Sequence, residues 1–220
     1  MSKKTIIPET PSASAYASEK ARGIIADVDE PIVLVEAWLA EARDAELNDS
    51  NAMALATVDA EGLPDVRMVL LKDISATGFT FYTHETSAKG QQLDANPKAA
   101  LLFHWKSQRR QIRVRGRVIR GGDEAADHYF ASRARISRLG AWASDQSKPL
   151  ESPEALKARL EEVKARFGEE EGEVPRPERW RGFCVVPEQI EFWQDQPFRL
   201  HDRVLFVRAG EGWTKGRLHP

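Results

Sequence analysis

The sequence of 220 residues has a single cysteine and no long apolar run. One cysteine excludes an internal disulfide, and because Cys184 lies in the apolar stretch 182–186, we expect a buried structural thiol. No apolar run approaches the roughly 18 residues that a membrane helix requires. The first twenty residues carry lysines without an apolar run behind them, unlike a secretory signal. These absences predict a cytoplasmic protein with no membrane partner.

The formal net charge is only −2, so no excess of one sign draws the chain to nucleic acid. Several catalytic motifs are also missing from the sequence. It contains neither a GxGxxG nor a GxxxxGK[ST] pattern, which argues against a Rossmann dinucleotide site and a P-loop. It contains no CxxC, HExxH or GxSxG pattern, and its five histidines are scattered. We therefore expect no metal site and no nucleophile elbow.

The hydrophobic periodicity predicts one domain over residues 29–220, preceded by a mobile tail at 1–28 that is rich in Ser, Ala, Thr and Pro. A helical pattern begins at Pro31. Short alternating segments then predict strands at 53–58, 67–74, 79–83, 99–105, 111–120, 182–186, 189–193, 203–207 and 213–218.

Helices are predicted between these strands, at 87–95, at about 123–133 and at 153–167. The last of these has Ser152 as its N-cap and Pro153 at its first position. The acidic run 169–171 is predicted to form a loop. Many short strands with inserted helices indicate a mainly-β barrel decorated by helices.

The clearest strand, 111–120, carries alternating arginines. Arg113, Arg115 and Arg117 should leave one face, while Ile112 and Val114 should leave the other. An arginine face could bind nucleic acid, but the strand lacks the interleaved aromatic residues of such a surface. A solvated or interface face is the alternative that we favour.

Two groups of basic residues could hold an anion. Arg67 and Lys72 end the apolar stretch RMVLLK, and an odd spacing sends their side chains to opposite faces of a strand. Lys89 lies at the predicted helix start after Ser87, where free N–H groups and the helix dipole favour negative charge. A strand with charged ends and an ordinary capped helix remain alternatives.

A third group is spaced by four residues: Tyr129, Arg133 and Ser137. If one helix continues through them, all three lie on one side, where hydroxyl groups and a guanidinium fork could bind a phosphate. A helix surface without a ligand is the alternative.

A fourth group follows Trp193, which could supply an aromatic wall. Arg199, His201 and Arg203 share one face if the chain is extended there. Two neighbouring arginines should lower the pKa of His201 and keep it neutral, able to donate or accept a proton. A salt-bridged strand that uses Asp202 is the alternative.

These groups stand in an order that resembles the pyridoxamine 5′-phosphate oxidase family, from about Met53 to the C-terminus. The stretches that carry the resemblance are RMVLLK (67–72), FYT (81–83), ALLFHW (100–105), RQIRVRG (110–116), QIEFWQ (189–194), RLHDR (199–203) and the WxxxRLxP ending (213–220). One such motif would be weak evidence, but all of them in register are specific.

The resemblance implies an FMN-binding split β-barrel with Greek-key topology that forms a homodimer, with FMN at the subunit interface. It implies an oxidase that converts pyridoxamine 5′-phosphate and pyridoxine 5′-phosphate to pyridoxal 5′-phosphate while O2 is reduced to H2O2. Another split-barrel flavin-dependent reductase, or a non-catalytic FMN- or pyridoxal-phosphate-binding protein, stays open as an alternative.

The resemblance also assigns site residues. The expected FMN contacts are Arg67, Met68, Val69, Leu70, Leu71, Lys72, Tyr82, Thr83, Lys89, Gln111, Gln146, Ser147, Trp193 and Arg203. The expected substrate contacts are Lys72, Tyr129, Arg133, Ser137, Arg199, Leu200 and His201, of which Arg199 and His201 are the expected catalytic residues. Ala88, Ala134 and Arg138 depart from the family, which often has Arg, Pro and Gln at these positions.

Overall fold

A computed structural model describes residues 11–12, 14, 20–168 and 173–220. Within them the chain forms nine strands and five α-helices. The strands are β1 (Ala52–Val58), β2 (Pro64–Leu70), β3 (Asp73–Ile74), β4 (Phe79–His84), β5 (Lys98–Trp105), β6 (Arg110–Arg120), β7 (Trp180–Gln194), β8 (Asp202–Ala209) and β9 (Gly212–Arg217). The helices are α1 (Pro31–Ala45), α2 (Ala88–Ala95), α3 (Asp123–Ser132), α4 (Arg135–Ala143) and α5 (Pro153–Phe167).

The strands form a single antiparallel sheet in the order β2-β1-β5-β6-β7-β4-β3, with β8 on β7 and β9 on β8. Strand β7 is the organising element, because it pairs with the whole of β6 through its residues 183–194. Its first half pairs with β4 and its second half pairs with β8. Since one strand serves two successive neighbours on one side, the sheet curls into a half-barrel. The predicted mainly-β architecture with inserted helices is confirmed.

The core lies against one face of β6, as the alternation in this strand predicts. Ile112 and Val114 are fully buried, whereas Arg113 and Arg115 on the opposite face are exposed. Helix α1 packs its Trp38 edge-on against Phe192 of β7, with ring centroids 5.3 Å apart. Cys184 is buried, as the sequence predicts. Within the described residues, no helix is both long and apolar enough to span a bilayer.

Strand β7 runs without a break where the sequence predicts two strands. The apolar pattern is interrupted at Pro187, which has no N–H to give to a ladder. The structure accommodates it with a register shift between Arg115 and Gly116 of β6. A Cβ atom on Gly116 would lie only 1.9 Å from the carbonyl oxygen of Val186, so this close approach requires glycine.

The helices show where local signals suffice and where they fail. Helix α5 begins as predicted, with the Ser152 hydroxyl accepting a hydrogen bond from the Ala155 N–H at 3.1 Å. The predicted helix at about 123–133 is present as α3, but it does not continue through Arg133 to Ser137, which was the condition for Tyr129, Arg133 and Ser137 to share one helix side. Arg133 has the extended dihedral angles φ −73° and ψ 149°, and it separates α3 from α4. The acidic run 169–171 lies outside the described residues.

Part of the predicted mobile tail is packed on the domain. Ile25 is only 3% exposed, and its backbone N–H donates to Asp202 at 2.7 Å. Lys215 of β9 forms ion pairs with Asp27 and Asp29 at 2.6 and 2.9 Å. Part of the segment predicted as a tail therefore contacts the domain, and its mobility stays a prediction; residues 1–10, 13 and 15–19 lie outside the described residues.

Candidate active site

A cavity of about 610 Å³ opens between β2, β4 and helices α2 to α4; we call it the first cavity. Strands β2 and β4 supply one wall, and the break between α3 and α4 supplies the other. Its lining residues are Arg67, Met68, Val69, Leu70, Lys72, Tyr82, Thr83, His84, Lys89, Tyr129, Arg133, Ala134, Ser137, Gly140, Ala141, Ser144, Gln146 and Trp180.

The first cavity is strongly cationic. Four basic side chains line it (Arg67, Lys72, Lys89 and Arg133), and its described lining includes no aspartate or glutamate. Among the described residues, only Arg67 of these four forms an ion pair, with Asp65 at 2.5 Å. Such a cavity favours a ligand with more than one negative charge.

Lys89 is the most buried of these cations, with 8% of its surface exposed. Its ammonium group donates to the side-chain oxygen of Gln146 at 2.8 Å and lies 3.4 Å from the Thr83 hydroxyl. Both partners are neutral, so burial lowers the pKa of Lys89, and the charge of Arg67 lowers it further. A buried ammonium with neutral partners would gain most from an anion beside it.

Arg133 reaches the first cavity because the chain leaves the helix at this residue. Its guanidinium lies over the rings of Trp180 and Phe130, at 5.1 and 5.4 Å from their centroids. Its Nη1 atom is buried and has no hydrogen-bond partner in the described structure. Burial lowers the pKa of this arginine. An unpaired buried guanidinium donor fits a phosphate or carboxylate.

Aromatic rings form a flat wall of the first cavity. The rings of Tyr82, Tyr129 and Trp180 contact one another: Tyr82 lies 4.4 Å from Tyr129 and 4.9 Å from Trp180 between centroids, with interplanar angles of 23° and 6°, and Tyr129 lies 5.9 Å from Trp180. The Lys72 ammonium lies 5.8 Å from the Tyr129 centroid. Planar surfaces beside cations suit a planar, phosphorylated ligand.

His84 also lines the first cavity, although the sequence analysis does not include it. It is 4% exposed, and its Nδ1 atom is buried without a hydrogen-bond partner in the described structure. Burial, followed by the charges of Arg179, Lys89 and Arg133, lowers its pKa to about 4. One feature of the sequence could have identified His84 as a cavity residue. It follows Tyr82 by two positions, and residues two apart lie on the same face of a strand.

Neutral His84 should make stability depend on pH. Unfolded His84 binds a proton near its ordinary pKa of 6.5, whereas the folded chain does so only near 4. The unfolded state therefore binds more protons between these values, and the free energy of unfolding falls as the pH drops through this window, by at most about 3 kcal/mol. His84→Asn should flatten this slope.

Urea unfolding at about pH 7 and about pH 5, without cofactor and at fixed protein concentration, measures the effect. His128→Asn is the matched control, because His128 is exposed on α3. A slope that is equally steep with and without the His84 ring would contradict the assignment.

The remaining predicted side chains line two other depressions. A second cavity of about 330 Å³ is lined by Pro11, His104, Arg109, Trp193, Asp195, Gln196, Arg199 and His201. A third, of about 220 Å³, is lined by Gln111, Arg113, Glu191, Trp193 and Arg203. Trp193 belongs to both, so the second and third cavities are adjacent.

The segment 199–203 is not extended throughout, which was the condition for Arg199, His201 and Arg203 to share one face. Phe198 and Arg199 have φ angles of 57° and 60°, within a short 3₁₀ turn. Left-handed backbone costs a non-glycine residue about 1–2 kcal/mol and is concentrated at functional sites. The turn brings Arg199 and His201 to the second cavity, while Arg203 instead faces Glu191 in the third at 2.7 Å.

His201 lies beside Trp193, with ring centroids 4.6 Å apart. Burial is the main cause that lowers its pKa; Arg199 and Arg203 lower it as well, whereas Asp195 raises it. The predicted direction is confirmed, although burial is the larger cause.

Within one chain, the predicted site residues therefore fall into two groups. The second or third cavity is lined by Gln111, Trp193, Arg199, His201 and Arg203. The first cavity is lined by Arg67, Met68, Val69, Leu70, Lys72, Tyr82, Thr83, Lys89, Tyr129, Arg133, Ser137 and Gln146. Leu71 is buried in the core, and Ser147 and Leu200 are exposed and line none of the three. No lining residue of the first cavity is shared with the other two. Among the described residues, no cluster of His, Cys, Asp or Glu is arranged for a metal ion.

Comparison with known proteins assigns both parts of the chain. Residues 39–167 match the family described as pyridoxamine 5′-phosphate oxidase. Residues 180–220 match the pyridoxine 5′-phosphate oxidase C-terminal dimerisation region. The second and third cavities thus lie largely in the dimerisation region.

Full-length relatives agree with this assignment. Pyridoxine/pyridoxamine 5′-phosphate oxidase from Maricaulis maris is 58% identical, with 100% of both chains covered. The enzyme of that name from Caulobacter vibrioides is 53% identical over 98% of both chains.

Two solved structures share the fold. PhzG from Burkholderia lata, in complex with tetrahydrophenazine-1-carboxylic acid, superposes with a TM-score of 0.81 and 30% identity, covering 99% of this chain and 98% of that one. An FMN-binding protein related to pyridoxamine 5′-phosphate oxidase from Nostoc punctiforme superposes with a TM-score of 0.69 at 16% identity, covering 89% of this chain and 100% of that one. The fold is the split barrel of these proteins, and the chain belongs to the pyridoxine/pyridoxamine 5′-phosphate oxidase family.

Proposed function

We propose that the protein is an FMN-dependent oxidase that converts pyridoxamine 5′-phosphate and pyridoxine 5′-phosphate to pyridoxal 5′-phosphate, with O2 reduced to H2O2. The observation that carries the proposal is the first cavity. Four basic side chains and stacked aromatic rings line it, and its described lining contains no aspartate or glutamate. FMN and the substrate are each a planar ring system with a phosphate. The names of the full-length relatives support the same reaction.

The residues at the α2 end of the first cavity fit FMN. Lys89 and Arg67 would hold its phosphate, since the buried Lys89 ammonium has only neutral partners. The Thr83 hydroxyl donates one hydrogen bond to the side-chain oxygen of Gln146 at 2.9 Å, and both side chains would also bond to the ligand. Ala88, where the family resemblance led us to expect arginine, does not line the cavity.

The other end of the first cavity fits the substrate phosphate. Arg133 offers an unpaired buried donor, the exposed Lys72 offers an ammonium group, and Tyr129 and Ser137, which carry hydroxyls, line the same space. Arg138 lies outside the lining residues, and Ala134 is part of them. Anchoring the phosphate far from the reacting carbon lets binding energy fix the position of that carbon.

Arg199 and His201 would complete the site from a second copy of the chain in a homodimer. The exposed side chains of the edge strand β2 support this assembly, because Val66 and Met68 are 64% and 63% exposed although apolar. Residues 180–220 match a dimerisation region and contain the second cavity's turn. In a two-fold dimer, the turn of one chain would close over the first cavity of the other.

Bound FMN would supply the acceptor for the hydride from C4′ of the substrate and the route by which electrons reach O2. With the amine, the balance is pyridoxamine 5′-phosphate, O2 and water giving pyridoxal 5′-phosphate, ammonia and H2O2; with the alcohol, no water is consumed and no ammonia is released. The protein contributes placement and charge. Trp193, Arg199 and neutral His201 would orient the pyridine ring.

The cytoplasmic location expected from the sequence stays a prediction.

Anaerobic mixing of the FMN-loaded protein with pyridoxamine 5′-phosphate tests the reaction. The visible flavin absorbance should bleach without any nicotinamide cofactor, and admitting air should restore it and release pyridoxal 5′-phosphate and H2O2 in equal amounts. Bleaching that requires a nicotinamide cofactor and yields no pyridoxal phosphate would identify a reductase. Binding without bleaching would identify a carrier, and either result would overturn the proposal.

A further inference from the structure

The packed N-terminal segment reaches the second cavity through Arg22. Its guanidinium forms an ion pair with Asp195 at 3.0 Å. Its backbone N–H donates to the Gln196 side-chain oxygen at 2.9 Å, and the Gln196 side-chain nitrogen donates back to the Arg22 carbonyl at 3.0 Å. Arg22 therefore binds Asp195 and Gln196, the two residues that precede the 3₁₀ turn.

Asp195 contacts both Arg22 and His201 and so connects them. Its Oδ2 atom accepts from Arg22 and from Arg109, the latter at 2.7 Å, while its Oδ1 atom lies 3.2 Å from Nδ1 of His201. The carboxylate is 14% exposed, so its charge is largely shared between the two arginines. The charged groups around His201 are thus Asp195 together with Arg199 and Arg203, with Arg22 and Arg109 acting through Asp195.

Two hydrogen bonds compete for the same nitrogen of His201. The Gln196 backbone N–H donates to Nδ1 at 3.2 Å, which requires a lone pair there. A bond from Nδ1 to Asp195 would instead require a proton there, and a ring nitrogen cannot have both. Because two arginines already engage Asp195, the bond from Gln196 is favoured, and the proton of the neutral ring then resides on Nε2.

We propose that Arg22 is a positioning residue that, through Asp195 and Gln196, holds His201 as the neutral tautomer with its proton on Nε2. That nitrogen is then the donor that His201 offers in the second cavity. The role of this donor in catalysis rests on the function proposed above, whereas the tautomer itself does not. Arg22 lies in the segment that the sequence analysis treated as a tail.

Three substitutions separate this role from simple packing. Arg22→Gln removes one cation from Asp195, so the carboxylate should stabilise protonated His201 more strongly and raise its pKa by at least about half a unit. Arg22→Lys keeps the charge and should stay near the wild type. Asp195→Asn removes the carboxylate whose charge raises the pKa of His201, so this pKa should fall. Arg43→Gln is the control, since Arg43 and Asp44 form a pair that is 73% and 75% exposed.

Nitrogen-15 NMR of the histidine rings in the FMN-loaded protein, with His201 assigned by the loss of its signals in His201→Asn, reports tautomer and pKa together. The acid limb of the kcat/KM profile should shift in the same directions. Opposite shifts in Arg22→Gln and Asp195→Asn, with little change in Arg22→Lys, support the proposal. A wild-type ring protonated on Nδ1, or an Arg22→Gln pKa equal to that of the wild type, overturns it. Because NMR needs no turnover, this result is independent of whether the protein oxidises pyridoxamine 5′-phosphate.

Discussion

Replacing Arg133 with alanine is expected to lower kcat/KM for pyridoxamine 5′-phosphate about a hundredfold, because a hydrogen bond to a charged group contributes about 1.5–3 kcal/mol. The guanidinium carries a buried unpaired donor. The described lining of the first cavity contains no aspartate or glutamate, so removing Arg133 leaves no carboxylate there without its partner. Steady-state oxygen consumption or pyridoxal phosphate formation measures the change.

Pyridoxamine without its phosphate makes the test specific. If Arg133 binds the phosphate, the preference for the phosphorylated substrate should shrink by nearly the same factor, while the poor rate with pyridoxamine changes little. Arg166→Ala is the matched control, because that guanidinium also stacks on aromatic rings, Trp142 and Phe167, at 4.8 and 5.0 Å. An equal loss with both substrates would assign Arg133 to packing instead.

Mixing two inactive variants should recover activity. If the cavity of one chain is completed by the turn of the other, a hybrid dimer of Arg133→Ala and Arg199→Ala has one doubly substituted site and one unaltered site. Random pairing from equal amounts then gives roughly a quarter of wild-type activity. Coexpression with two affinity tags, or refolding of the mixed chains, produces the hybrids for assay.

The control for this recovery uses two substitutions in the same cavity. Hybrids of Arg133→Ala and Lys72→Ala leave every first cavity with one defect, because both side chains line it within a single chain. They should show no recovery. If purified hybrids of Arg133→Ala and Arg199→Ala are also inactive, the two groups do not complement across an interface.

Much of the fold could be predicted, because its signals are local. The alternation in β6 and the Ser152–Pro153 start of α5 depend on residues that are adjacent in the chain, and both are confirmed. The continuity of β7 could not be predicted, since Pro187 is accommodated only by a register shift on another strand. Likewise, the burial of Ile25 depends on packing against strands almost 180 residues later.

The candidate site was predicted in its members but not in its geometry. Tyr129, Arg133 and Ser137 do line one cavity, yet the reason is a break between two helices and not one helix face. His84 was missed because the residues that bury it and lower its pKa, such as Arg179, lie far away in sequence. The motifs identify which residues belong together, while their separation into two cavities becomes visible only in three dimensions.

The uninterrupted course of β7 constrains how this protein can vary. Trp180 at its start lines the first cavity, and Trp193 near its end lines the second, so one backbone segment sets the spacing between the two half-sites. Inserting or deleting a single residue there would displace one indole by about 3.3 Å relative to the other and turn following side chains to the opposite face. We therefore expect evolutionary length changes to be confined to the loops, while this strand tolerates substitution far better than insertion.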